Sequence, residues 1–195
     1  MKIRIVFVTI LFVCMSVQGC TAANRQTEGV GTDGDNKEQL IISFDFRRGG
    51  IASSQYAIWI EDDEGKLMRT LYATSFTTKG GYEYRGDVIP FWVGKACPEK
   101  MTDAQVDAIT GATPINGKLT YIWDGTDQNG IRVPKGKYHF FVEGTLYWKS
   151  RVLFSGIVNW GEDEQELIPV ETRYFNKSSV NKDMISSVKA SYKQK

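Results

Sequence analysis

Short runs of β-branched and aromatic residues, each closed by glycine, proline or acidic turn residues, recur from residue 40 to 192 and leave no room for a long helix. Residues 40–46 open the series. Residues 56–60 and 66–72 flank Glu61-Asp62-Asp63-Glu64-Gly65, a pattern that predicts a β-hairpin with a solvated acidic tip. In 118–123 the alternation puts Leu119, Tyr121 and Trp123 on one face, and in 137–145 it does the same for Tyr138, Phe140 and Val142. Hairpin-like material over 146–159, an acidic turn at 162–164 and strands over 167–174 and 184–192 complete the set, with C-terminal lysines suited to keeping an edge strand soluble. Two short helices interrupt it: 88–97, entered through Pro90, and 102–108, with Thr102 as N-cap and Asp103 at its positive end. No internal repeat is evident. The pattern predicts an all-β (mainly β) fold, a β-sandwich with one or two short helices in a connection.

The first 39 residues read differently. Lys2 and Arg4 precede an apolar stretch over 5–15, too short to span a membrane stably, and Val17-Gln18-Gly19-Cys20 follows. This resembles a bacterial lipobox, which makes 1–19 a signal peptide and Cys20 the lipid-modified first residue of the mature chain. A cleaved soluble signal peptide and an uncleaved anchor are the alternatives. Residues 20–39 are polar and glycine-rich, a flexible tether with a root-mean-square reach of roughly 25 Å. Residues 40–195 are then one globular domain. The expected location is the cell envelope, lipid-anchored at Cys20, in the periplasm or at the outer membrane. Loss of Lys2 and Arg4 with the leader leaves 22 basic against 23 acidic side chains, a balance that does not suit nucleic-acid binding. Cys97 is the single thiol beyond Cys20, so no intramolecular disulfide framework and no cysteine-based metal site can be built; a small buried hydrophobe is its expected role.

Asp107-Ala108-Ile109-Thr110-Gly111-Ala112-Thr113 resembles the acceptor motif of bacterial FMN transferases. In that motif the last hydroxyl takes a phosphoester bond to FMN. The resemblance makes Thr113 the attachment point and Asp107, Thr110, Gly111 and Ala112 its recognition residues. The residue types suit this chemistry. Gly111 and Ala112 leave the backbone open, while Asp107 and Thr110 can bond a turn that presents the terminal hydroxyl. An ordinary polar turn closed by Pro114 is the alternative. Phe91 and Trp92 could stack on an isoalloxazine ring, with core packing the expected job for both.

A second stretch, Trp123-Asp124-Gly125-Thr126-Asp127 followed by Gly130, Val133-Pro134 and Gly136-Lys137-Tyr138, is similar to the immunoglobulin-like domain of flagellar hook-capping proteins. Its aspartates and glycines suit a turn-rich crossing between strands. Asp124, Asp127 and Asn129 could also hold a cation, but they miss the spacing of an EF-hand loop. Taken in order, Ile89-Pro90-Phe91-Trp92, the 107–113 motif, the Trp123 segment and Val142-Glu143 resemble a family of predicted periplasmic proteins of unknown function, family 2271, over about residues 40–192. That resemblance implies an immunoglobulin-like sandwich, with FMN transferases and membrane electron-transfer components for neighbours.

Other chemistry finds little footing. His139, the one histidine, sits in a strand with no nucleophile motif beside it and is expected to face the surface. Five tryptophans could line a glycan platform, although Trp59 and Trp123 fall at core positions. Two functional expectations stand. One is an exported lipoprotein that carries FMN on Thr113 and moves electrons outside the cytosol, with an FMN transferase and envelope redox proteins as partners. The other is a non-catalytic immunoglobulin-like interaction module. Neither is a substrate-transforming enzyme.

Overall fold

The computed structural model describes residues 38–48, 54–111, 114–146, 150–175 and 184–194. The leader over 1–19, Cys20 and nearly all of the tether lie outside them. Among the described residues, ten strands form two sheets. The four-stranded sheet runs β5 (Gly117–Trp123), β1 (Gln39–Phe46), β10 (Ile185–Lys193), β8 (Gln165–Ile168). The six-stranded sheet runs β4 (Thr110–Gly111), β3 (Leu67–Thr74), β2 (Ser54–Asp62), β6 (Gly136–Leu146), β7 (Ser150–Trp160), β9 (Glu171–Phe175). The fold is a β-sandwich. Every pairing is antiparallel except that of β3 with β4.

Alternation builds the space between the sheets. Leu40, Ile42 and Phe44 of β1 face Tyr56, Ile58 and Ile60 of β2, and Phe140 and Val142 of β6 join them, all essentially without exposure. Each such side chain contributes roughly 1.5–3 kcal/mol through removal from water. Trp123, Trp160, Tyr138 and Tyr192 close one end, with Trp123 and Trp160 ring centroids 4.5 Å apart. The Tyr138 phenol donates to the Pro134 carbonyl four residues upstream, a corner tie familiar from Greek-key sandwiches. Trp59, Trp92, Trp123 and Trp160 are all fully buried, so none of these four forms a surface platform; Trp148 lies outside the described residues.

The connection after β3 holds more helix than expected. A wide π-type turn, Thr77–Gly81, runs into α1 (Tyr82–Tyr84); α2 (Pro90–Ala96), a 3-10 turn (Pro98–Lys100) and α3 (Asp103–Ile109) follow. The expected helices correspond to α2 and α3, with boundaries within two residues. The turn over 77–84 carries no helical period, and Gly80 at φ 90° breaks it. These pieces form a second core on the outer face of the six-stranded sheet, where Ala57, Trp59 and Ala73 meet Val88, Ile89, Trp92 and Ile109. Strand β2 is therefore buried on both faces from Ser54 to Glu61, which accounts for its unbroken apolar run.

Four expectations need correction. The strand expected over 167–174 is two strands, β8 in one sheet and β9 in the other, because the chain changes sheets at Pro169, which has no N–H to continue a ladder. Strand β10 lies between β1 and β8, so its lysines guard no edge. Glu61 is not part of a solvated tip: it is buried and accepts from Trp59 Nε1 at 2.7 Å and Lys95 Nζ at 2.8 Å. Cys97 is half-buried because it ends α2 in a left-handed conformation, φ 46°, rather than packing inward.

The 124–136 crossing is built from Asx turns. Asp124 Oδ1 accepts from Thr126 N and Oγ1, and Asp127 Oδ1 accepts from Asn129 N and Ile131 N. These bonds hold Asp127, led by the Ile131 N–H, below the usual carboxylate range. Gly125 is the tightest point, at φ +75° and with a Cβ there falling onto the Trp160 indole. Gly130 has a similar φ, +78°, but open space around it. Gly130→Ala should lose about 1–2 kcal/mol from backbone strain. Gly125→Ala should lose about 2 kcal/mol more, because the buried indole must also move. Equilibrium denaturant unfolding of the two variants measures the difference.

Candidate functional site

Helix α3 delivers the 107–113 motif. Thr102 caps it, accepting from Gln105 N at 3.3 Å while the Gln105 side chain accepts from Thr102 N at 2.9 Å, a reciprocal capping box. Val106 and Ile109 turn inward, and Ile109 anchors the helix in the second core. Asp103 and Asp107 stay on the exposed side. The Thr110 hydroxyl donates back to the Val106 carbonyl at 2.9 Å and closes the last turn. Thr110–Gly111 then add to the sheet edge, with Ala73 opposite Thr110 and Thr74 opposite Gly111.

Each motif residue thus has a definite place up to Gly111. Asp107 is exposed on the helix, and the Thr110 hydroxyl is engaged by the helix rather than by the following turn. Gly111 is exposed on its outer side, but a Cβ there would come within 3.3 Å of the Tyr72 ring, so only a small residue sits easily. Ala112 and Thr113 lie outside the described residues. Past them, the chain from 114 reaches β5 at the edge of the other sheet. Under the edge strands, Tyr72 stacks on Tyr56 with centroids 4.8 Å apart and tilts toward Tyr121 at 5.6 Å. The Tyr56 and Tyr121 phenols share a 2.7 Å hydrogen bond, and burial, the largest cause, raises the Tyr121 phenol to about 12.

Phe91 and Trp92, the two ring-stacking candidates, go separate ways. Trp92 is fully buried, with its indole N–H on Thr70 Oγ1 at 3.2 Å. Phe91 is 39 % exposed and packs outside the core, its centroid 5.3 Å from that of Phe175, with the Arg151 guanidinium 4.7 Å from it and 4.1 Å from Phe175. The Phe91–Phe175 pair lies toward β9, at the edge of the six-stranded sheet opposite β4, whereas Trp92 shares the second core with Ile109 of the motif.

Strand alternation concealed Glu143. It falls on the outward face of β6 with His139 and Phe141, yet it is wholly buried under α2. Its carboxylate accepts from Phe91 N at 3.3 Å and Trp92 N at 3.0 Å, the first free N–H groups of the helix, and Arg151 Nε lies 3.9 Å away. Burial outweighs these favourable partners and pushes the acid up to about 7. An acidic residue in mid-strand, just before a Gly-Thr pair, was the available signal. His139 sits on the same face nearer the hairpin tip, half-exposed, 3.2 Å from Asp63 Oδ1.

The chain belongs to the family described as "Predicted periplasmic protein (DUF2271)", whose model matches residues 41–175. That description supports an envelope location. Comparison with curated proteins and with solved structures returned no match.

Glu143 generates a pH dependence of defined sign. Its folded pKa is raised, so between its unfolded value near 4.5 and about 7 the folded chain holds the extra proton, and stability falls as pH rises through that window. The wild type should lose up to about 3 kcal/mol relative to Glu143→Gln between pH 4.5 and 8. Denaturant midpoints of the two proteins across that range provide the check.

Proposed function

We propose that this envelope protein carries FMN esterified to the Thr113 hydroxyl and relays electrons outside the cytosol. The observation that supports this best is the accessibility of the motif's first half, with Asp107 exposed on α3 and Gly111 exposed on an edge strand two residues long. A transferase can approach an edge of this kind without unfolding the sandwich. Asp107, Thr110, Gly111 and Ala112 serve as recognition residues. The Thr113 oxygen attacks the flavin-side phosphorus of a flavin dinucleotide donor, the phosphoanhydride bond breaks, a nucleoside monophosphate leaves and the hydroxyl proton passes to solvent. A covalent bond retains a redox group where free flavin would diffuse away, and the protein then supplies position and electrostatics rather than substrate chemistry. The partners in this proposal are an FMN transferase and envelope redox proteins. Cys20 carries the lipid anchor, and the 20–39 tether lets the domain reach across the membrane surface.

A second reading, a non-catalytic interaction module, draws on β9. This strand is exposed from Glu171 to Tyr174, with Tyr174 42 % accessible, and its ladder side away from β7 pairs with no other described strand, so it can accept a partner strand.

Flavin fluorescence in a denaturing gel separates the two. Co-expression with an FMN transferase should give a fluorescent wild-type band, a complete loss in Thr113→Ala and a weaker band in Asp107→Asn. A dark wild-type band beside a labelled control acceptor would contradict the flavin proposal. Partner retention by Thr113→Ala in a pull-down would then favour the module.

A further inference from the structure

Strand β9 ends the six-stranded sheet, and its ladder side away from β7 pairs with no other described strand. Edges of this kind are commonly guarded by a proline, a bulge or a lysine. From Glu171 to Tyr174 the β9 edge has none of these; it carries two opposite charges instead, Glu171 and Arg173, both exposed and on one face of the strand. A guard of one sign repels a second copy of the same edge, whereas opposite signs two residues apart complement it. Thr172 and Tyr174 point to the other face, in register with the core residues Phe154 and Val152 of β7. Val170, one residue before the strand, packs against that core, while Tyr174 stays 42 % exposed.

We propose that β9 pairs with β9 of a second copy of this chain, antiparallel about a two-fold axis at Thr172, making one sheet continuous across both copies. Charge selects this register. With the axis at Thr172, Glu171 of each copy lies opposite Arg173 of the other, and Val170 lies opposite Tyr174. An axis at Glu171 or at Arg173 sets two carboxylates or two guanidiniums face to face, which disfavours both. An axis at Tyr174 leaves Glu171 with no described residue opposite it. The other long edge, β5, offers no such match, because Lys118 is its one charged residue. Backbone hydrogen bonds and the Val170–Tyr174 contacts supply the attraction, while the exposed Glu171–Arg173 pairs fix the alignment. A two-fold contact is made by the same patch on both copies, so each of these pairs occurs twice. This occupant rests on the second reading above, in which β9 is a docking edge, and is independent of flavin at Thr113.

Sedimentation of the full mature chain, kept in detergent, should show a monomer–dimer equilibrium that moves with concentration. Glu171→Arg sets like charges opposite each other twice and should weaken dimerisation at least about tenfold, as should Arg173→Glu. The double exchange, Glu171→Arg with Arg173→Glu, restores two opposite-charge pairs and should return the dimer to within about threefold of wild type. Both positions are exposed, so denaturant unfolding of the three variants should match wild type. Cysteine cross-linking in a Cys97→Ser background then reads the register. With Thr172→Cys the two thiols face each other across the axis, roughly 5 Å apart at Cα, and an added oxidant should link them. With Tyr174→Cys they lie four positions apart along the strands, roughly 13 Å, and should stay unlinked. A monomer at every concentration, with no Thr172→Cys link, overturns the pairing. A dimer indifferent to either charge reversal, or linked through Tyr174→Cys, overturns it as well. A monomer that captures a different protein, and loses it in Glu171→Arg, overturns self-pairing while leaving β9 a docking edge.

Discussion

The carboxylate of Glu143 holds the helical layer in place, and the candidate site is reached through that layer. Buried under α2, it accepts from the backbone N–H groups of Phe91 and Trp92 and so satisfies donors that a helix start would otherwise present to an apolar core. Thr145, two residues along the same strand, accepts from Ile89 N and donates to the Asp87 carbonyl. Ile89 is a β-branched residue at φ 32°, a conformation that persists only where its surroundings fix it. Once α2 is seated, Trp92 fills the second core beside Trp59, the Pro98–Lys100 turn follows, and α3 is aimed at the free edge of β3. There Thr110–Gly111 pair and the motif emerges.

The same arrangement explains why the sandwich is asymmetric. The six-stranded sheet is covered inside by its partner sheet and outside, over β3, β2 and the Glu143–Thr145 stretch of β6, by helices. Strand β9 lies at the far edge and stays exposed along most of its length. One sheet therefore has an edge where the first half of the acceptor motif joins and another whose outer ladder is unpaired among the described residues. A redox carrier needs a place to hold its group and a surface for its partner, and the two edges are separated by the width of the sheet.

Much of the sandwich was legible in the sequence because period-two alternation sorts side chains wherever one face is solvated. The runs through Leu119, Tyr121 and Trp123 and through Tyr138, Phe140 and Val142 face the core as the pattern required. Helices α2 and α3 were marked by Pro90 and Thr102, whose effects are local. What escaped depended on tertiary context. The burial of Glu143 and Glu61 is imposed by helices arriving from elsewhere in the chain, and no strand period reports it. The split of 167–174 followed from Pro169, whose break was visible although the change of sheet was not. At the candidate site, the residue types suggested that Asp107 and Thr110 bond a turn presenting the terminal hydroxyl, whereas Asp107 lies exposed on α3. The Thr110 hydroxyl has a structural task instead, closing α3.

The proposal that Thr113 is a flavin phosphoester rests on the acceptor-like motif and on the exposure of Asp107 and Gly111, whereas membership of a predicted periplasmic family supports the envelope location alone. Peptide mapping of the protein isolated from its own cell envelope tests it most directly. Cleavage after Lys100 and Lys118 releases residues 101–118 as one peptide that contains the whole motif. A flavin phosphoester at Thr113 puts this peptide at the mass of its sequence plus one FMN less water, with fragment ions assigning the addition to Thr113. The unmodified mass alone, from cells with an active FMN transferase, would contradict it.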